Sequence, residues 1–336
     1  MPSLFMRNEP PEVASVDGAS ISVLVDNVSD GLSTVPAGVT NEVDNLIEAG
    51  AKEFSGEGLC CACWGISLVV SGRIGHVTRT VLFDGGPAAY AIDHNAPRLG
   101  IDMGAIEAVV LSHGHIDHAG GLPAALRRIV AANGGRPVPV HVNPGMFVHR
   151  GDLLESGEVF PLEDIPNPET LAQAGGRVQN AVEERVLLDH MFYLSGEIPR
   201  VTSYEKGLPG QVNWNEAEAR WEPDPWVMDE RFLALKVKDK GVLIFTACSH
   251  AGIVNILRNA RDIFAPAPLY GIVGGFHLAG RAFEKILPDT IRDLKEFNLQ
   301  VIVPGHCTGW RAVHALLDAF GESVVVPSAV GRRHLF

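Results

Sequence analysis

The sequence is poor in positive charge, in cysteine and in long apolar runs. Its 27 lysines and arginines face 40 aspartates and glutamates, a formal net charge of −13. Nucleic-acid backbones are bound by concentrated basic surfaces, and anionic membranes attract basic clusters, so this balance excludes both partners. A small anionic substrate held by a few converging arginines is compatible with it. The five cysteines, Cys60, Cys61, Cys63, Cys248 and Cys307, are an odd and unevenly spaced set in 336 residues, unlike a secreted disulfide framework. No apolar run reaches the ~18 residues of a membrane span. The opening "MPSLFMRNEPPEVAS" places acids and prolines where a signal peptide has an apolar stretch. A cytoplasmic protein is expected, and a homodimer is compatible with the composition.

What is present is ordinary globular chemistry, 46% hydrophobic and 20% charged. After a loose lead-in over residues 1–18, "ISVLVDNV", "GISLVVSG", "TRTVLFDGG" and "AIEAVVLSH" read as strands. A helix, "GGLPAALRRIVAANGG", and a strand, "PVPVHVNPG", follow. The pattern weakens from about 150 to 229, which reads as an insertion or lid on a single domain spanning 19–336, with a short strand in "HMFYLSGEIPR". Three strand–helix units then close the chain, beginning "KGVLIFTACSH", "LYGIVGGFH" and "LQVIVPGHCTG". Strands alternating with helices imply α/β layering, with functional residues at the carboxyl ends of strands. His250, His277 and His306 stand at such ends.

The densest chemistry lies in "VVLSHGHIDHAGGL", where His113, His115, Asp117 and His118 crowd one turn after an apolar strand. Side chains two apart in a tight loop share a direction, so His113 and His115 suit one ion, and Asp117 with His118 a second. Imidazole with a carboxylate accepts zinc, iron or manganese. Four ligands cannot complete two sites, so His250 and His306 are expected to join them, while His277 either binds metal or orients substrate. A lone strand-end histidine is more often structural, and the histidines at 76, 94, 141, 149, 190, 314 and 334 read as structural or surface residues. The "CCAC" cluster has no partner cluster and reads as buried strand cysteines.

"SHGHIDHAGG" matches the H-x-H-x-D-H signature of the metallo-β-lactamase superfamily. Together with "LVDN", "LFDGG", "LGID", "SGEIPR", "CSHAGIVNIL", "GGFHL" and "PGHCTG", in that order, the chain from about residue 21 to its end resembles one subfamily. That subfamily is named for 7,8-dihydropterin-6-methyl-4-(β-D-ribofuranosyl)aminobenzene-5′-phosphate synthase. The resemblance implies an αββα sandwich, two mixed sheets flanked by helices, holding one or two metals. Most of the superfamily bridges its two ions with an aspartate; "LIFTACSH" places Cys248 there instead, which leaves its ligation open. Where relatives carry A-E-H-G-x-S, this chain has Cys63 and Trp64 in place of the acidic and imidazole pair, so a different ligand is implied if that pair meets substrate.

The expected function is a metal-dependent hydrolase with two divalent transition-metal ions, zinc foremost, acting on a small anionic, aromatic or heterocyclic ester, lactone, amide or phosphoester through metal-activated hydroxide. Asp117 and His277 are the expected catalytic groups. Arg200, whose guanidinium suits carboxylate or phosphate, is the expected anion anchor. Trp64, His277 and, on resemblance, Asp229 are expected to face substrate, with tryptophans 214, 221 and 226 as candidates for a ring-binding wall. The alternatives are a synthase-like condensation of a pterin with a ribosyl phosphate, or a non-hydrolytic redox or sensor protein on the same fold.

Overall fold

The computed structural model describes residues 11–336. Two large mixed sheets lie face to face with helices on both outer sides. The first has eight strands in the order Gly176–Asn180, Val138–Val142, Ile106–Val110, Val77–Phe83, Ser67–Ile74, Gly18–Val25, Arg333–Leu335, Val39–Thr40. The second runs Arg185–Leu187, Phe192–Leu194, Leu233–Val237, Gly241–Thr246, Leu269–Gly275, Val301–Gly305, with Ser15–Val16 paired to Leu233–Val237.

Period-two alternation explains the layering. Leu68, Val70, Val81, Phe83, Ala108 and Val110 point inward and meet Leu243, Phe245, Val273 and Val303 of the second sheet. Their neighbours Val69, Leu82, Val109 and Leu111 point outward, onto the helices Ala89–Arg98 and Leu122–Ala132. Val242, Ile244 and Ile272 likewise pack outward against the helices Ile253–Phe264 and Trp310–Phe320. Strands with both faces covered must be apolar throughout, which is why these segments read as continuous hydrophobic runs.

Three sequence expectations are corrected. Residues 11–18 of the lead-in are packed: Val13 and Val16 are buried and 15–16 form a strand; residues 1–10 lie outside the described residues. The 150–229 stretch is not one excursion. Arg150–Leu153, Val159–Pro161, Gln211–Asn215 and Arg220–Pro223 form a small separate sheet, whereas Gly176–Asn180, Arg185–Leu187 and Phe192–Leu194 are edge strands of the main sheets. Short polar edge strands carry little hydrophobic alternation, so their pattern was weak. The cysteines at 60, 61 and 63 lie in a half-buried loop, not a strand; that loop is held by Cys60 N–H on Glu42 and Cys61 N–H on Asn95.

The strands Val77–Phe83 and Ile106–Val110 are parallel, as are Gly241–Thr246, Leu269–Gly275 and Val301–Gly305. Their carboxyl ends therefore open on one side of the sandwich, where ligand sites of α/β sheets form. The turn at Gly120-Gly121 sits against the loop 84–87: a Cβ on Gly120 would lie 1.9 Å from the Pro87 carbonyl oxygen, and one on Gly121 2.0 Å from that of Gly85. Only glycine permits this approach.

Candidate metal centre

The strand Ile106–Val110 delivers Ser112 and His113, and the short helix Ile116–Ala119 returns Asp117 and His118 to the same cavity. Gly241–Thr246 supplies Cys248 and His250, Leu269–Gly275 supplies His277, and Val301–Gly305 supplies His306 and Cys307. Ser249, His277 and His306 adopt φ of 60°, 44° and 46°. Left-handed backbone at non-glycine residues stores strain, and here it turns each strand end sharply into the cavity.

Two groups of donors result, each with its ligand atoms within 4.8 Å of one another: His113 with His115 and His250, and Asp117 with His118 and His306. His113 Nε2 lies 3.0 Å from His115 Nδ1 and 3.2 Å from His250 Nε2. Asp117 Oδ2 lies 3.3 Å from His306 Nε2 and 3.6 Å from His118 Nε2. Cys248 Sγ sits between the groups, 3.3 Å from His118 Nε2 and also close to His113, His250, His277, His306 and Cys307.

The surrounding hydrogen bonds set which nitrogen carries each proton. Asp84 accepts from His118 Nδ1 at 2.8 Å, from the Ser112 hydroxyl at 2.7 Å and from the Ser112 amide at 2.7 Å. Ser112 Oγ, its proton given to Asp84, accepts from His113 Nδ1 at 2.9 Å. Gln211 Oε1 accepts from His115 Nε2 at 2.5 Å. His113 Nε2 and His115 Nδ1 are thus left as bare lone pairs aimed at each other, and His118 turns its Nε2 into the same cavity.

Such a cluster fits cations. Nitrogens around a tetrahedral ion at ~2.0–2.1 Å sit roughly 3.3–3.4 Å apart, close to the spacing here. Lone pairs converging at 3.0–3.2 Å repel unless a positive charge lies among them. His250 Nδ1, His277 Nδ1 and His306 Nδ1 are buried without a hydrogen-bond partner. Burial, then the neighbouring imidazoles, holds His113 and His250 well below the ordinary histidine range, so both are neutral, as ligation requires. Burial also opposes charge on His118, but Asp117 and Asp84 outweigh it and raise its pKa to about 9; carboxylates that retain a proton there equally favour a cation.

A second layer fixes the loops. Asp229, 4% exposed, accepts from Gly114 N–H at 2.8 Å and from Arg150 Nη2 at 2.5 Å. Arg150 also donates to the Gly114 carbonyl. Glu230 accepts from the amides of His250 and Ala251, and Asp26 from that of His306, while Asn27 Nδ2 donates to the His306 carbonyl.

His113, His115, Asp117, His118, His250 and His306 therefore come together, with His277 and Cys248 beside them. Trp64 is 58% exposed at the rim, its ring 5.1 Å from that of His306. Two expectations are corrected. Arg200 is no free anion anchor: its Nη atoms donate to the carbonyls of Ile198, Trp226 and Val227, stapling two loops. Asp229 is saturated by Gly114 and Arg150 and positions the metal loop instead of facing substrate. Trp214 and Trp221 pack on each other across a hairpin, which explains them without a ligand. The histidines at 76, 94, 141, 149, 190, 314 and 334 join neither group, nor do Cys60, Cys61 and Cys63.

Asp84, Ser112, Gln211, Arg150 and Glu230 escaped sequence reasoning. Asp84 had a signal, an aspartate before Gly-Gly at a strand end in "LFDGG"; Gln211, on a strand of the small sheet, had none.

Residues 65–182 match the metallo-beta-lactamase superfamily. A 264-residue alignment, 77% of this chain and 85% of the relative, is 29% identical to 7,8-dihydropterin-6-methyl-4-(beta-D-ribofuranosyl)-aminobenzene-5'-phosphate synthase of Methanocaldococcus jannaschii. An uncharacterized protein of the same archaeon is 27% identical over 71% of this chain and 82% of its own length. Among solved structures, Tm1679, described as a metal-dependent hydrolase of the beta-lactamase superfamily, superposes with a TM-score of 0.67 at 21% identity, covering 94% of this chain and 98% of that one. That likeness concerns the fold. With the ordered motifs and the donor cluster at the strand ends, residues 65–182 match the metallo-β-lactamase superfamily, and the chain as a whole has that superfamily's sandwich fold.

Proposed function

We propose that the protein is a metal-dependent hydrolase with a binuclear centre, acting on a small anionic substrate that carries an aromatic or heterocyclic ring. The observation that carries this reading is the pair of donor groups, His113/His115/His250 and Asp117/His118/His306, flanking the Cys248 thiol. Two cations held so close would act as Lewis acids on a carbonyl or phosphoryl oxygen and lower the pKa of water.

The remaining chemistry belongs to the chain. Asp117, partly open to solvent, keeps its carboxylate ionised: burial opposes this, but His118 and His306 outweigh it. It can orient a proton-bearing nucleophile and accept its proton. His277 faces the cavity with an unpartnered Nδ1 and can bond a substrate oxygen. Trp64 beside His306 and Phe283, 4.5 Å from the His277 ring, offer aromatic walls on two sides of the mouth.

A second reading, synthase-like condensation on a pterin and a ribosyl phosphate, is favoured by the name and coverage of the archaeal relative. One experiment separates them. Protein purified without chelator is analysed for metals, then offered a panel of lactones and phosphoesters and, separately, a reduced pterin with a ribosyl phosphate donor. Hydrolysis that disappears in His115→Ala and His118→Ala supports the first reading. Condensation without hydrolysis supports the second. A metal content near zero after reconstitution with zinc, iron or manganese would sink both.

A further inference from the structure

A second cavity, of about 360 Å³, opens between the sheet edges, away from the donor cluster. His141, Arg177 and Gln179 line it from the first sheet; Val186, Leu187 and Leu188 line it from the second. One guanidinium lies on its wall and two more act on its buried histidine, in a chain whose net charge is −13. Arg177 is on its wall, and Arg185, with Arg231, lies close enough to act on His141 electrostatically. Among the described residues none of these arginines has an ion-pair partner; Asp229 and Glu183 are the acids nearest Arg231.

The polar atoms are as unbalanced as the charges. His141 is 7% exposed, and its Nδ1 is buried with no hydrogen-bond partner. Arg231 is 1% exposed; it donates once, to the Ala181 carbonyl, and its Nε and Nη1 are buried and unpaired. Arg185 Nε is buried and unpaired too. Leaving the buried donors of Arg231 and Arg185 unpaired is costly, and an anion at the cleft would offset that cost. Burial, then Arg185, Arg231 and Arg177, pushes the His141 imidazole down to about 4, so it is neutral and the charge comes from the arginines.

We propose that this edge cleft is a binding site for the phosphoryl group of a small ligand, separate from the metal centre. Guanidinium forks match phosphoryl oxygens, and a phosphoryl group carries enough charge to answer several arginines. The apolar wall of Val186, Leu187 and Leu188 suits the ligand's organic part.

Isothermal titration of metal-loaded protein with inorganic phosphate and with pyrophosphate tests the site. One saturable site is expected, weakened at least about tenfold in the Arg177→Gln/Arg185→Gln double variant, with metal content and melting temperature unchanged. Arg177 is exposed, so Arg177→Gln alone gives a weaker reading of the same kind should the double variant fold poorly. Binding unchanged in these variants would place the anion at the metals and overturn the proposal. So would the absence of any binding tighter than about 10 mM.

Discussion

Asp84→Asn offers the sharpest test of how the centre is built. The carboxylate serves His118 Nδ1, the Ser112 hydroxyl and the Ser112 amide together. An asparagine supplies one acceptor oxygen and one amino group, so in either orientation the amino group meets an N–H already pointing at it. Turned towards His118, it drives the proton to Nε2 and removes the lone pair aimed into the cavity. Turned towards Ser112, it unseats the residue that holds His113. Losing one charge-assisted bond of this kind costs about 1.5–3 kcal/mol. Metal affinity should therefore fall roughly 10- to 150-fold. Competition with a chromophoric chelator would measure this, and a thermal melt in saturating metal would check that the fold survives. An affinity within about twofold of the natural protein would refute the tautomer argument.

Three further outcomes are expected. Gln211→Leu removes the acceptor that orients His115 and should lower metal affinity by roughly tenfold, without a comparable loss of melting temperature; unchanged affinity would detach the small sheet from the site. Arg200→Ala should cost stability, about 1–3 kcal/mol in denaturant titration, through lost carbonyl bonds, and leave the Michaelis constant for an anionic substrate alone; a raised constant would restore it as an anchor. Glu205 accepts from the Val254 and Asn255 amides at the start of the helix Ile253–Phe264, and burial, outweighing those bonds, raises its pKa from 4.5 to about 7. Between those values the folded protein holds a proton that the unfolded chain has released, so stability should fall as pH rises through this window, by up to about 3 kcal/mol. Equal slopes in the natural protein and Glu205→Gln would refute it.

Much of the centre was legible because its ligands are local. His113, His115, Asp117 and His118 occupy one turn, and a turn of that length has few geometries. The strand–helix alternation after residue 240 likewise announced where His250, His277 and His306 would emerge. Buried strands show plainly in a sequence, since both of their faces must be apolar. Short edge strands such as Gly176–Asn180 and Arg185–Leu187 do not, and they were read as part of an insertion.

What the sequence could not carry is contact between distant residues. Asp84 meets His118 across 34 positions, and Gln211 meets His115 across 96. Nothing local marks such a pair, because its geometry exists only once the strands are side by side. The same limit hid the commitment of Arg200 to loop carbonyls and of Asp229 to Gly114 and Arg150. Arg177, Arg185, Arg231 and His141 are unremarkable along the chain and form a cationic cluster only where the two sheet edges meet. The sequence determined which side chains could bind cations and that strand ends would present them; packing decided which nitrogen each histidine offers, and which charges are left without a partner.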